Sequence, residues 1–175
     1  HHAGQMVGEG HFAHGQLQIG HGFQAGIHAE GGSNQETGGR FAVAVLLSDT
    51  DTVGVDVEFV HPIHNREAMM RRLFSAAEQE YVLSSDGESA FFELWCAKEA
   101  YLKWTGEGFS RPMSSVHVDV RGRTVGSDAG TCDLRWFCTE DTVLCAAGTG
   151  LPAALAVCRV RTVDLMRINT SRDCP

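Results

Sequence analysis

The stretch from Glu88 to Trp104 limits the possible folds more than any other part of this chain. It is the longest helical pattern in the sequence. Phe91, Trp95 and Leu102 run along one side, and Gly106 stands where a helix would close. Phe92, Tyr101 and Trp104 widen the aromatic surface around it. Each aromatic side chain buries roughly 150–250 Å² when packed, so such a helix is expected to lie inside a domain and not on its surface. The same segment carries Lys98, Glu99 and Lys103. Helical spacing sets Glu99 one turn before Lys103, a carboxylate beside an ammonium. On an exposed helix that pair would contribute only ~0.2–0.5 kcal/mol. On a packed helix, Glu99 borders the interior and calls for a partner.

The patterns around this helix point to an α+β fold, a mostly antiparallel sheet packed by helices. Phe41–Leu47 reads as a buried strand and Val53–Glu58 as a second, alternating one. Arg66–Leu73 is expected to be helical. Ser75 and Glu78 form an S-x-x-E capping box that starts another helix through Leu83, and Ser84–Gly87 breaks it. Four later segments read as strands: Val116–Val120, Leu134–Cys138, Val143–Ala147 and Ala153–Val160. Residues 1–38 stand apart. Residues 1–40 hold eleven of the 20 glycines and six of the nine histidines, and glycine at that density disfavours helix and strand alike. His14, His21 and His28 recur every seven residues, but the intervening glycines argue against a helical seam. The expected organisation is therefore a poorly ordered segment over 1–38, one domain over 39–165 and a short tail over 166–175. With no initiator Met at position 1, the chain reads as a piece of something longer.

Composition narrows the functional classes. The chain has 175 residues, 43% of them hydrophobic, with a net charge of −8. No basic run is present to hold a phosphate backbone, so nucleic-acid binding is not expected. No apolar stretch approaches the ~20 residues that cross a bilayer, so no membrane partner is expected either. The six cysteines contain no C-x-x-C pair, and several sit in apolar company. They read as reduced core thiols of a cytoplasmic protein, not as zinc ligands or a disulfide framework. Of the 14 basic residues, only Lys98 and Lys103 are lysines, five positions apart.

Gly54-Val55-Asp56-Val57-Glu58 adds a second chemical element. Period-two alternation puts Val55 and Val57 on one face and the two carboxylates on the other, roughly 7 Å apart along the strand. Such a pair can share a hard cation or its waters, although a strand with a merely polar outer face would look the same. A third carboxylate at Glu99, brought to face them, would complete an oxygen cage suited to Mg2+. Lys103 would then neutralise a phosphate.

These residues resemble a known family. G-V-D-V-E at 54–58 and W-C-A-K-E-A-Y-L-K at 95–103 look like the two signature motifs of the 4′-phosphopantetheinyl transferases, larger surfactin-synthetase type. Arg72-Leu-Phe-Ser75-Ala-Ala-Glu78 resembles the R-x-F-S-x-x-E segment between them, and Thr105-Gly-Glu-Gly108-Phe the Gly-x-Gly that follows. The resemblance covers roughly residues 39–160. It implies a fold of two similar halves, the first incomplete here. It also implies a Mg2+-dependent transfer of 4′-phosphopantetheine from coenzyme A to a serine of an acyl or peptidyl carrier protein, releasing 3′,5′-ADP. On that resemblance Asp56 and Glu99 match the principal metal ligands and Glu58 a third. Lys103 matches the contact to the transferred phosphate. Lys98 either assists proton transfer or holds a carboxylate in place, and Glu78 matches an acidic position near the site. The family's Ser-His element before the first strand is replaced by Glu36-Thr37, and residues 1–38 contain no Lys or Arg, which leaves Arg40 to share in coenzyme A binding. Met69–Phe74 is expected to form an apolar docking patch edged by Arg71 and Arg72. The alternatives are a non-catalytic homologue that binds carrier proteins and a Mg2+-dependent nucleotide hydrolase.

Overall fold

The computed structural model describes residues 52–85 and 87–153, apart from the side chain of Phe109, and the backbone of three earlier strands. Those strands are β1 (Gly15–Gln18), β2 (Phe23–Glu30) and β3 (Arg40–Leu47). They form an antiparallel sheet in the order β1-β2-β3, with β2 pairing β3 along its whole length, from Phe23 opposite Leu47 to Glu30 opposite Arg40. The expected strand from Phe41 is present. The two before it were not anticipated, because the glycine count hid a period-two alternation of Phe23, Ala25, Ile27 and Ala29.

The second sheet holds five antiparallel strands in the order β4-β8-β7-β6-β5. They are β4 (Val53–Phe59), β5 (His117–Asp119), β6 (Thr124–Ser127), β7 (Gly130–Cys138) and β8 (Thr142–Gly148). Helices α1 (Arg66–Leu73), α2 (Ala76–Ser84) and α3 (Gly87–Thr105) come between β4 and β5 in the chain. This is the α+β, mostly antiparallel architecture expected from the sequence. β6 was missed because it is short and has one buried side chain, Val125. The turn before it is tied by the Asp119 carboxylate accepting from the Gly122 N–H at 2.9 Å. The strand expected over Ala153–Val160 falls almost wholly outside the described residues.

α3 packs against β4 and β8 and forms the centre of the core. Phe91, Leu94, Cys96, Tyr101 and Leu102 are buried in it together with Leu134, Val143 and Cys145 of the sheet. Gly106, at φ +73°, ends the helix in a left-handed conformation that glycine adopts without penalty. The capping box at the start of α2 is complete: Ser75 Oγ accepts from Glu78 N at 3.3 Å, and Glu78 Oε2 accepts from Ser75 N at 2.7 Å. Met70 and Phe74 belong to the core, so the apolar docking patch expected over Met69–Phe74 is reduced to the half-buried Met69 and Leu73. Arg71 and Arg72 are exposed beside them. No helix among the described residues is long and apolar enough to cross a membrane.

Candidate active site

The site is built where α3 lies on β4. All seven residues of β4 are buried, so its polar face does not look out to water. Val55 and Val57 pack with Leu144 in a small cluster of their own, while Asp56 and Glu58 are each 3% exposed and meet α3. Gly54 permits this approach. A Cβ at that position would stand 2.0 Å from the Ala100 carbonyl oxygen and 2.6 Å from the Trp104 nitrogen. Strand and helix therefore touch backbone to backbone, and the short Asp56 side chain lies directly beneath the helix.

From α3, three side chains spaced four apart face this strand: Trp95, Glu99 and Lys103. Residues at i, i+4 and i+8 form one stripe of a helix, so their coincidence was legible in the sequence. Lys103 does not turn along its own helix toward Glu99. Its Nζ donates across to Asp56 Oδ1 at 2.6 Å and to the Val55 carbonyl at 3.1 Å. Trp95 Nε1 donates to Glu58 Oε1 at 3.0 Å. Glu99, between them, makes no hydrogen bond or ion pair among the described residues and is 7% exposed. Sequence reasoning had placed Trp95 with the core aromatics. Its role as a donor was missed because an indole has an apolar body and one polar atom, and the pattern shows only the body.

The electrostatics follow from burial. Desolvation raises the Asp56 carboxyl above its ordinary range; the Lys103 ammonium opposes this and the charge of Glu58 adds to it. Glu99 is raised to about 7, first by burial and then by the Asp56 charge, with Lys103 again opposing. Burial, and then the charges of Asp56 and Glu58, push the Cys96 thiol well above its usual value, so it is no nucleophile at neutral pH. Three carboxyl groups thus share a desolvated region with one ammonium. Carboxylates in that situation are destabilised as anions unless further positive charge arrives.

One atom marks where that charge would go. Asp56 Oδ2 is buried and has no hydrogen-bond partner, although a buried carboxylate oxygen rarely goes unsatisfied. An oxygen donor set of this kind suits a hard cation such as Mg2+. The residues fit such an ion chemically, but they do not form a ready cage: among the described residues, no group of three acidic, histidine or cysteine side chains is already arranged to hold a metal. The ammonium of Lys103, 2.6 Å from Asp56 Oδ1, supplies the counter-charge instead.

The other predicted residues lie elsewhere. Lys98 and Glu78 come together, but on a different side of α3. Lys98 is fully buried, and its ammonium donates to Glu78 Oε2 at 2.8 Å, to the Val116 carbonyl at 2.7 Å and to the Leu73 carbonyl at 2.9 Å. Glu78 Oε1 accepts from Val118 N at 2.8 Å. The pair therefore braces the end of α1, the cap of α2, α3 and β5 against one another. Desolvation lowers the Lys98 pKa, with Glu78 pulling the other way. Arg40 opens β3 opposite Glu30; its side chain, like Glu36 and Thr37, lies outside the described residues. Beyond Lys103, at the carboxyl end of α3, a depression of about 370 Å³ is lined by Thr52, Trp104, Thr105, Glu107, Ala129 and Thr149.

Comparison with known proteins identifies the family. A family model described as the 4′-phosphopantetheinyl transferase superfamily matches residues 52–156, well over half of the chain. The 4′-phosphopantetheinyl transferase psf-1 of Bacillus pumilus is 43% identical over 131 residues, covering 69% of this chain and 55% of that protein. The 4′-phosphopantetheinyl transferase Sfp of Bacillus subtilis is 32% identical over 83 residues, 46% of this chain and 35% of its own length. HetI of Nostoc, also a 4′-phosphopantetheinyl transferase, is 37% identical over 65 residues, 35% of this chain and 27% of its own. The chain thus spans about half the length of the first relative and less of the other two. The match to the family model takes in both motif segments and every element from β4 to β8, and on that ground the chain belongs to the 4′-phosphopantetheinyl transferase superfamily.

Proposed function

We propose that this chain carries the metal-binding and phosphate-binding side of a 4′-phosphopantetheinyl transferase that acts on an acyl or peptidyl carrier protein with coenzyme A as donor. One observation carries the reading: the buried juxtaposition of Asp56, Glu58 and Glu99 with Lys103, leaving Asp56 Oδ2 without a partner. In the reaction, the carrier serine Oγ bonds to the phosphorus attached to pantetheine. The bond from that phosphorus to the bridging oxygen breaks, and 3′,5′-ADP leaves. Mg2+, held by Asp56, Glu58 and Glu99, would supply charge neutralisation at the pyrophosphate. The chain's own residues do the rest. Lys103, on a short lever from Asp56, donates to a phosphoryl oxygen as charge builds there. The Glu99 carboxylate beside the metal, or a water that it holds, takes the serine proton. Lys98 and Glu78 act one step removed by holding α3 and β5 in place. Arg40 contributes to coenzyme A binding, and Arg71 and Arg72 complement an acidic carrier surface. Buried free thiols at Cys96, Cys132 and Cys145 support a reducing, cytoplasmic setting.

The test is direct. The full chain, a carrier protein, coenzyme A and Mg2+ are incubated together, and the carrier is weighed by mass spectrometry. The expected result is a mass gain of one phosphopantetheine, with 3′,5′-ADP released and the gain abolished by EDTA. An unmodified carrier that still binds the chain would favour a non-catalytic, carrier-binding homologue. Release of nucleotide without carrier modification would favour a hydrolase.

A further inference from the structure

Trp95 is the one member of the helical stripe that the proposed reaction leaves without a task. Its indole stacks on Phe91, with ring centroids 6.2 Å apart and planes 18° from parallel. Phe91 is in turn 1% exposed and in contact with Phe74 and Phe92. The half-buried indole is therefore packed against the core. Its single polar atom donates to Glu58 Oε1 at 3.0 Å. An indole N–H is a donor only and carries no charge, so it can hold a carboxylate without neutralising it and without competing as a ligand. Lys103 treats Asp56 differently, since it donates and neutralises at once. Each strand carboxylate is thus held by a donor from α3, one neutral and one cationic, with Glu99 between the two donors in the stripe.

We infer that Trp95 is a positioning residue: its indole N–H sets the orientation in which Glu58 presents its carboxylate to a hard divalent cation. The inference rests on the metal reading of the site. Donors that orient a ligand without touching the ion commonly control metal affinity by 10–100-fold, because an unoriented ligand must be ordered when the ion binds. Trp95→Phe keeps an aromatic ring beside Phe91 and removes the donor together with part of the ring volume. The expected effect is then a loss of metal affinity larger than any loss of stability.

The experiment uses the full chain and Mn2+ as the probe, with free Mn2+ measured by electron paramagnetic resonance. Wild type should bind one ion, Asp56→Asn should lose most of that binding, and Trp95→Phe should weaken it about tenfold or more. Equal Mn2+ affinity in wild type and Trp95→Phe overturns the assignment of Trp95 and leaves the metal site standing. Equal binding in wild type and Asp56→Asn overturns the metal reading, and the role of Trp95 with it. A second measurement needs no change at position 95. In ¹⁵N-indole-labelled protein, with Trp104→Phe and Trp136→Phe used to identify the third resonance, the Trp95 indole signal should shift and saturate as Mg2+ is added. A Trp95 signal that stays still while Mg2+ binds overturns the inference independently of how the Phe variant folds.

Discussion

Lys103 and Glu99 share one stripe of α3, yet substitution should affect them in different ways. Lys103→Ala removes the ammonium that bonds to Asp56 and Val55. If it also stabilises charge on the transferred phosphoryl group, turnover should fall about 10²–10³-fold, the usual loss for one preorganised charge stabiliser. Glu99→Gln should be at least as damaging, because a neutral amide binds Mg2+ poorly and cannot take the serine proton. Added Mg2+ should restore part of the activity of Glu99→Gln and none of that of Lys103→Ala. Full transfer activity in both variants would remove these residues from the chemistry. Glu99 also makes a prediction about pH. Its folded pKa of about 7 lies above its ordinary 4.5, so the folded state binds more protons between those values. Stability of the metal-free protein should therefore be greatest below about pH 4.5 as far as this group is concerned, and should decline as pH rises through 7. Asp56, also raised, acts in the same direction. Glu99→Gln should flatten the fall of melting temperature between pH 5 and 8 in EDTA, and an unchanged slope would show that the carboxyl is not desolvated as described.

At the scale of elements, the site depends on how closely α3 and β4 approach. Gly54→Ala would place a methyl group 2.0 Å from the Ala100 carbonyl oxygen, a backbone atom that cannot swing aside. Overpacking of this kind costs about 3 kcal/mol when the neighbour is rigid, and here it should also lift Lys103 and Glu99 away from Asp56. Urea unfolding should show the loss, and a midpoint equal to wild type would mean that the helix does not rest on the strand at this point. The brace on the other side of α3 is testable by a double-mutant cycle on Lys98→Met and Glu78→Gln. Either change alone strands a buried partner and should cost about 3–5 kcal/mol, while the pair together should cost clearly less than the sum. Additive costs would separate the two residues energetically. Most of these elements could be read beforehand, and for physical reasons. α3 announced itself by aromatic periodicity, α2 by its capping box, and β4, β7 and β8 by alternation or apolar runs. Less legible was the direction of the side chains. Lys98 and Glu99 are neighbours in sequence, but a 100° turn of the helix sends one into the α2–β5 brace and the other toward the strand carboxylates. Periodicity could show that the two diverge, but only tertiary packing decides which side is braced and which is left for an ion.

At the scale of the whole molecule, β4 is a boundary between two sheets. It pairs with β8 along one edge, from Val53 opposite Gly148 to Phe59 opposite Thr142, and it runs close to β2 and β3 of the other sheet. The glycine-rich composition of residues 1–38 suggested a segment that adds little, because glycine has much entropy to lose on ordering and few side chains there could repay it. A ladder of backbone hydrogen bonds does not need side chains, and eight residues of β2 pair with β3 in such a ladder. Each such bond contributes about 0.5–1.5 kcal/mol net. Offset by the ordering of the glycines, the pairing still leaves β3 dependent on β2 for one of its edges. Deleting residues 1–38 is therefore expected to lower the melting temperature by about 5–10 °C, since roughly 2–4 °C accompanies each kcal/mol in a chain of this size. The measurement is thermal unfolding by far-ultraviolet circular dichroism, in EDTA so that metal binding does not mask the difference. A melting temperature within about 1 °C of the full chain would instead support the folding unit proposed over residues 39–165, with β1 and β2 as strands that the rest folds without.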